Sequence, residues 1–299
     1  MTPEHIKNSL SGFGLLILIF FLPGPARCGP ADSLGKEPVL NQPFRSLQFG
    51  MARTSSVFRD FATSPLFYRG RPTQFSLAWA KEEGKKERRF LVRYQSGRFS
   101  PENEEVKTPS SATHIALQYS RLWYVGNRHK TDLRVGAMMD LSGNLRINPA
   151  LQNNAGGLEI FHTLFVSARL SRDLSRITEK KGKILWLIPY RRIPRRRTLS
   201  FQLNAALMNN SFRNGYIYSN QANITNKPDI FYNYRFNAFS GYRMNTALEY
   251  AIFLGNGNAI RYSWIWEALQ TGEEFNRFEM GFNAFQVAFL FQVPKREKK

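Results

Sequence analysis

The chain has 299 residues, 14% of them aromatic, with one cysteine and a formal net charge of +20. Abundant aromatics exclude a disordered chain, and a single cysteine excludes an internal disulfide or a cysteine-built metal site. In a cytoplasmic protein so large a positive excess would point to nucleic acid, but the amino end argues for export.

That end carries Lys7, an apolar run of about ten residues from Phe13 to Leu22, and the small-residue stretch Pro23-Gly-Pro-Ala-Arg-Cys28. The run is too short to span a bilayer as a helix and reads as a secretory signal over residues 1–28, followed by a periplasmic leader over residues 29–43. Cys28 sits where a lipidated cysteine would, although Arg27 is a poor residue to precede one. After export, the expected partners of the excess Lys and Arg are anionic headgroups and lipid phosphates of the outer membrane, not nucleic acid.

From residue 44 to residue 293 the chain repeats one pattern. Apolar residues recur at every second position through residues 47–53, 75–80, 90–97, 114–124, 133–141, 158–171 and 199–208, with polar or charged residues between them. The hairpin 242–267 shows it most regularly. Tyr242, Met244, Leu248, Tyr250 and Ile252 lie on one face, Gly-Asn-Gly-Asn makes the turn, and Ile260, Tyr262, Trp264 and Trp266 resume the face. A last run covers 277–293, and the basic tail 294–299 closes the chain.

This predicts about ten antiparallel strands (10–12), several of nine to thirteen residues, near the length a tilted strand needs to cross a bilayer. Two architectures share the alternation: a soluble sandwich with its apolar face inside, and a membrane barrel with that face outside. The connections favour the barrel. Long outer loops are expected at 54–73, 100–113, 142–157 and 210–241, with a shorter one at 268–274; short inner turns are expected at 81–88, 125–130 and 254–257.

Residues 172–197 are too long for an inner turn. They read either as an excursion on the inner leaflet, with Arg191, Arg192, Arg195, Arg196 and Arg197 against headgroups, or as an extended solvated loop. Trp79, Trp123, Trp264 and Trp266 are placed at strand ends and Trp186 in the excursion, as expected for membrane-interface aromatics.

The stretch Thr63-Ser-Pro-Leu-Phe-Tyr-Arg-Gly70, the hairpin core Leu248–Trp264 and a final amphipathic strand resemble outer-membrane β-barrel proteins of the Bacteroidota type. The resemblance implies an outer-membrane barrel of unassigned cargo, with an insertion signal near the carboxyl end. In that last run the apolar set shifts from even positions (Phe278, Met280, Phe282) to odd ones (Phe285, Val287, Phe289), which predicts a bulge near Asn283-Ala284.

No catalytic constellation stands out. His162 and Ser167 fall on opposite faces of one strand, no G-x-S-x-G element is present, and His114 is at most a weak base near the outer rim. The expected lumen-lining charges are Arg93, Asp132, Arg134, Asp140, Glu159, Arg169, Arg243, Glu249, Arg261 and Glu279. A ten-strand barrel has little room beyond side chains, so ion-pair networks are expected to fill it.

The expected protein is therefore an all-β, transmembrane, up-and-down antiparallel barrel in the outer membrane. It acts as a scaffold, docking partner or narrow channel, and needs no cofactor or metal. A protein partner would meet its outer loops, chiefly 210–241. The rivals are an outer-membrane lipid-modifying enzyme and a soluble periplasmic β-sandwich that binds ligands.

Overall fold

Alternation over 17 to 19 residues leaves each strand with one face that must be covered by its neighbours' equivalents, and the chain meets this demand by closing the sheet on itself. The computed structural model describes residues 44–103, 108–154, 156–175, 180–184, 188–192, 194–214, 234–272 and 276–293. The stretches expected to be a signal and a leader, Trp186 and the basic tail lie outside these residues.

The strands are β1 (Phe44–Asp60), β2 (Ser64–Gly70), β3 (Thr73–Glu83), β4 (Lys86–Pro101), β5 (Ser110–Arg128), β6 (Thr131–Ile147), β7 (Gly156–Asp173), β8 (Lys180–Ile184), β9 (Ile188–Arg192), β10 (Arg197–Asn214), β11 (Tyr234–Asn237), β12 (Tyr242–Phe253), β13 (Ala259–Thr271) and β14 (Phe278–Gln292). A 3-10 segment, Pro149–Asn154, joins β6 to β7. Sequential neighbours pair antiparallel, β7 pairs with β10, and β14 pairs with β1, so the sheet is a closed up-and-down barrel of ten staves. Full closure leaves no sheet edge for another chain to extend.

Two staves are interrupted. β2 and β3 lie along the same side of β1 on either side of Arg71-Pro72, and Pro72 still accepts from the Thr54 amide at 3.1 Å. β11 and β12 both pair along β10, separated by residues 238–241, where Phe239 and Gly241 take φ of 52° and 72°. A Cβ at Gly241 would collide with the Gln270 carbonyl, so only glycine closes that break.

Both described ends of the barrel, the start of β1 and the end of β14, lie at one rim, here the terminal rim. Tight turns join β3 to β4, β5 to β6 and β12 to β13 there; in the last, the Leu254 amide donates to the Asn258 carbonyl at 2.7 Å. At the far rim β10 ends at Asn214 and β11 begins at Tyr234. β1 and β6 run further than the sequence pattern predicts, so much of the expected loops 54–73 and 142–157 is strand.

Of the described residues between 172 and 197, Arg172, Asp173 and Arg197 pair into the barrel. β8 and β9 form a separate two-stranded sheet paired with nothing but itself, and so add no stave.

Burial is inverted relative to a soluble sandwich. Along β1, Leu47, Phe49 and Met51 are exposed while Ser46, Gln48 and Gly50 are buried. Phe75, Leu77, Trp79, Phe90, Leu117, Met139, Leu141, Phe285 and Phe289 are likewise exposed on the outer wall. Among the described residues, buried polar side chains outnumber buried apolar ones.

The predicted bulge at Asn283-Ala284 is not there. β14 pairs in unbroken register with both neighbours, and Phe278 and Phe282 point inward with Ala284, Gln286 and Ala288. Register shifts occur instead in β1 against β2 (Phe58/Asp60), in β5 against β6 (Tyr124/Gly126) and in β10, where the register against β7 shifts between Ala206 and Met208 and leaves Leu207 unpaired and 66% exposed. Before it the even residues Ser200, Gln202 and Asn204 face inward; after it the odd residues Asn209, Ser211 and Arg213 do.

Candidate functional site

The barrel interior is where charge collects, and the β period puts it there: inward residues at every second position of ten staves converge on one axis. Three tiers of ion pairs cross it.

Nearest the far rim, Arg146 on β6 bonds Asp60 of β1 at 2.5 Å and also Glu159 of β7, and Arg213 of β10 bonds the same Asp60 at 2.7 Å. Asn144 donates to Glu159 at 2.9 Å. Two Arg thus meet two carboxylates. Around them packs an apolar cluster of Phe58, Tyr68, Phe99, Phe161, Leu269 and Phe278, with Phe58 stacked on Tyr68 at 5.2 Å and Phe161 on Phe278 at 5.8 Å. Arg146 and Arg213 both lie over the Phe278 ring at 5.3 Å, a cation–π contact that offsets part of their desolvation.

The middle tier is also balanced. Arg243 of β12 donates to Glu267 of β13 through Nε at 2.9 Å and Nη2 at 2.5 Å, and to Asp140 of β6 at 2.6 Å. Arg93 of β4 reaches the other Glu267 oxygen at 2.8 Å, and Gln118 donates to Asp140 at 2.7 Å. Every member is buried. Among the atoms of the tier's four charged groups, only Arg93 Nε is buried without a partner; charge-matched networks of this kind rigidify a core, whereas one missing member leaves a stranded charge.

Toward the terminal rim the third tier is looser. Arg134 pairs with Glu87 at 3.1 Å and also with Glu82, while Arg169 pairs with Glu87 and reaches Glu249 at 3.2 Å. Arg89 and Arg261 contact the same Glu249 at 3.2 and 3.4 Å. A cavity of about 70 Å³ is lined by these groups other than Arg89, and by Asp132. A second, of about 50 Å³ and rich in carboxamides (Gln74, Gln118, Gln202, Asn204, Asn245, Gln286), separates the third tier from the middle one.

The sequence-derived residues fall as follows. Arg93, Asp140 and Arg243 belong to the middle tier; Glu159 to the far one; Arg134, Arg169, Glu249 and Arg261 to the looser one. Asp132 is buried and accepts from Asn127 at 2.7 Å. Glu279 is a correction: it lies on the outer wall, on the opposite face from Phe278 and Phe282, and pairs there with Arg59 at 2.8 Å. Because β14 has no bulge, its residue parity is the reverse of the one expected at that position.

Trp79 and Trp123 lie exposed on the outer wall within about five residues of the terminal ends of β3 and β5. Trp264 lies as far from the terminal end of β13 as Trp123 does from that of β5, and Trp266 as far from the other end, so in this 13-residue strand the two flank the centre and not the ends as expected. Arg191 and Arg192 lie on β9. Arg195 is exposed, Arg197 begins β10, and Arg196 turns to the barrel mouth, where its guanidinium covers the Phe253 ring at 4.3 Å.

Sequence reasoning missed Asp60, Glu82, Glu87, Arg89, Arg146, Arg213 and Glu267. For Arg146 the signal was present: Leu141, Gly143, Leu145 and Ile147 continue the alternation of β6 past its expected end. For Arg213 it was not, because the β10 bulge reverses the parity.

His114 is inside the barrel, 4% exposed, rather than at the rim. Neither ring nitrogen has a hydrogen-bond partner among the described residues. No group of His, Cys, Asp and Glu that could hold a metal occurs among the described residues.

No protein-family model matches the chain, and no curated protein does. Solved structures with a similar fold include the translocator domain of the autotransporter NalP from Neisseria meningitidis, with TM-score 0.35 and 10% identity, covering 97% of this chain and 97% of that one. The TodX monoaromatic hydrocarbon channel, as its deltaS2S3 mutant, gives 0.32 and 8% over 84% of this chain and 91% of that one. A FadL homologue of Pseudomonas aeruginosa gives 0.27 and 8% over 84% and 90%. Scores this low allow no function to be carried over from any of them.

Proposed function

We propose that this chain is an integral outer-membrane β-barrel whose interior is plugged, serving as a scaffold or docking partner rather than as an open channel. The observation that carries the membrane reading is the inverted wall: large apolar side chains stand exposed around the outside while arginines and carboxylates are buried within. In water that arrangement exposes far more contiguous apolar surface than a soluble protein sustains; in hydrocarbon it is what strands require. Leu199, Leu248 and Tyr262 then face lipid, and the terminal rim faces the periplasm.

The plug is supported by the two balanced tiers and the aromatic cluster packed around the far one. Their charges cancel, two Arg to two carboxylates in each, so the +20 of the chain resides largely outside the plug. The basic excess, including Arg195 and the β8–β9 hairpin, is suited to headgroup phosphates. The partner-binding surface is assigned to the far-rim loops, where Phe236 and Phe239 are exposed.

The test is planar-bilayer conductance of the purified protein, with heat-modifiable migration as proof of folding. Folded protein that gives no discrete current steps is the expected result; regular anion-selective steps would replace the plug with a pore. Solubility as a monomer without detergent would sink the membrane reading itself.

A further inference from the structure

We propose that the outer wall of β3, β4 and β5 carries a site for one anionic phospholipid, its phosphate held between Arg88 and Arg121 and its acyl chains laid against Trp79, Phe90 and Tyr119. The proposal rests on the membrane reading and names the lipid that this part of the wall selects. Its basis is strand register. Arg45 of β1 stands directly opposite Lys81 of β3, Lys81 opposite Arg88 of β4, and Arg88 opposite Arg121 of β5. Four cations thus form one row across four neighbouring strands.

The next outward row toward the far rim is Leu47, Trp79, Phe90 and Tyr119, joined by the same pairings and exposed at every position. One step along the strands, about 7 Å, therefore separates charge from lipid-facing apolar surface, as headgroup phosphate is separated from acyl tail. The row is bounded. Beyond Arg121 the pairing continues to Ala137 and then Val166, and beyond Arg45 lies Val293, whose amide donates to the Arg45 carbonyl at 2.9 Å.

Like charges directly opposite one another destabilise a sheet, so the row calls for acid. Glu83 answers one end, pairing with Lys81 at 2.6 Å and Arg45 at 3.2 Å. Glu82 and Glu87 are turned to the lumen, where both pair with Arg134. Arg88 and Arg121 pair with no carboxylate among the described residues. Arg121 covers the Trp123 ring at 5.0 Å, and along β5 it is bracketed by the exposed Trp123 and Val125 on one side and Tyr119 and Leu117 on the other. A cation set among lipid-facing side chains is costly until an anion meets it, and one phosphodiester has oxygens for both guanidiniums. Lys86, one step nearer the terminal rim and opposite Trp123, adds positive charge that would repel the cationic end of a zwitterionic headgroup. An anionic headgroup meets no such repulsion.

Native mass spectrometry of the folded protein in detergent, titrated with dioleoyl phosphatidylglycerol or dioleoyl phosphatidylcholine, tests the site. One phosphatidylglycerol per barrel should be retained at concentrations where phosphatidylcholine is lost. Arg88→Gln and Arg121→Gln are each expected to weaken that retention about tenfold, as loss of one charged donor does. Arg98→Gln removes the same charge from the far end of β4 and should leave retention unchanged, with heat-modifiable migration showing that each variant is folded. Equal retention of the two lipids by the wild type overturns the site, and so does an Arg98→Gln protein that loses phosphatidylglycerol as fully as Arg88→Gln. A barrel that needs detergent yet shows no preference loses this site alone; one that stays monomeric in water without detergent loses the membrane reading and the site together.

Discussion

The two halves of the barrel interior are built from the same residues to opposite effect. In the far half, Arg93, Arg243, Asp140 and Glu267 are matched, short-bonded and buried, and the ring cluster of Phe58, Phe161 and Phe278 closes what the charges leave. In the terminal half, Arg and Glu outline space instead of filling it, and one Glu249 serves three arginines. The difference shows that a lumen is not sealed by the number of its charges. It is sealed by whether each charge has a partner of its own, and by whether apolar volume backs the pair.

The largest effect should come from breaking the matched half. Glu267→Ala leaves the buried Arg93 without its carboxylate and leaves Arg243 with Asp140 alone. Chemical unfolding in micelles should therefore report a loss of about 3–5 kcal/mol. A loss near zero would mean the far half is wetter than its packing implies, and the contrast between the halves would vanish.

Breaking the looser half should cost less. Arg169→Met removes the bridge between Glu87 and Glu249, but Glu87 keeps Arg134 and Glu249 keeps Arg89 and Arg261, and the adjoining cavity admits water. A loss of about 1–2 kcal/mol is expected, between the buried and exposed limits. A loss as large as that of Glu267→Ala would show the terminal half to be as tightly coupled as the far one.

How much of this was legible beforehand depends on which rule each residue obeys. The barrel could be read because alternation and strand length are local. Arg243, Glu249 and Arg261 could be read because they sit in the regular hairpin of β12 and β13, whose parity nothing disturbs. Arg213 could not, since the stretch Ala205-Ala-Leu-Met208 is small or apolar on both faces and hides the extra residue at Leu207. Phe278 and Phe282 misled for a different reason. A large aromatic in a membrane strand is assigned to lipid by default, yet the far half uses aromatics as internal packing. Which surroundings a ring meets is a tertiary fact.

The smallest effect sharpens that last point. With Phe278 inside, Glu279 is outside, bonded to Arg59, which also lies over the Phe61 and Phe67 rings at 4.2 and 4.1 Å. Arg59 therefore keeps two aromatic contacts when the carboxylate is lost, and the glutamine that replaces Glu279 remains partly exposed rather than sealed in the lumen. Glu279→Gln should change stability by less than about 1 kcal/mol, measured in the same micelles as Glu267→Ala. The two substitutions each remove one carboxylate from a barrel wall, on neighbouring strands, and differ chiefly in the face they occupy. If Glu279→Gln instead cost several kcal/mol, β14 would have to be shifted by one residue, its phenylalanines would turn outward, and the aromatic seal of the far half would come apart with them.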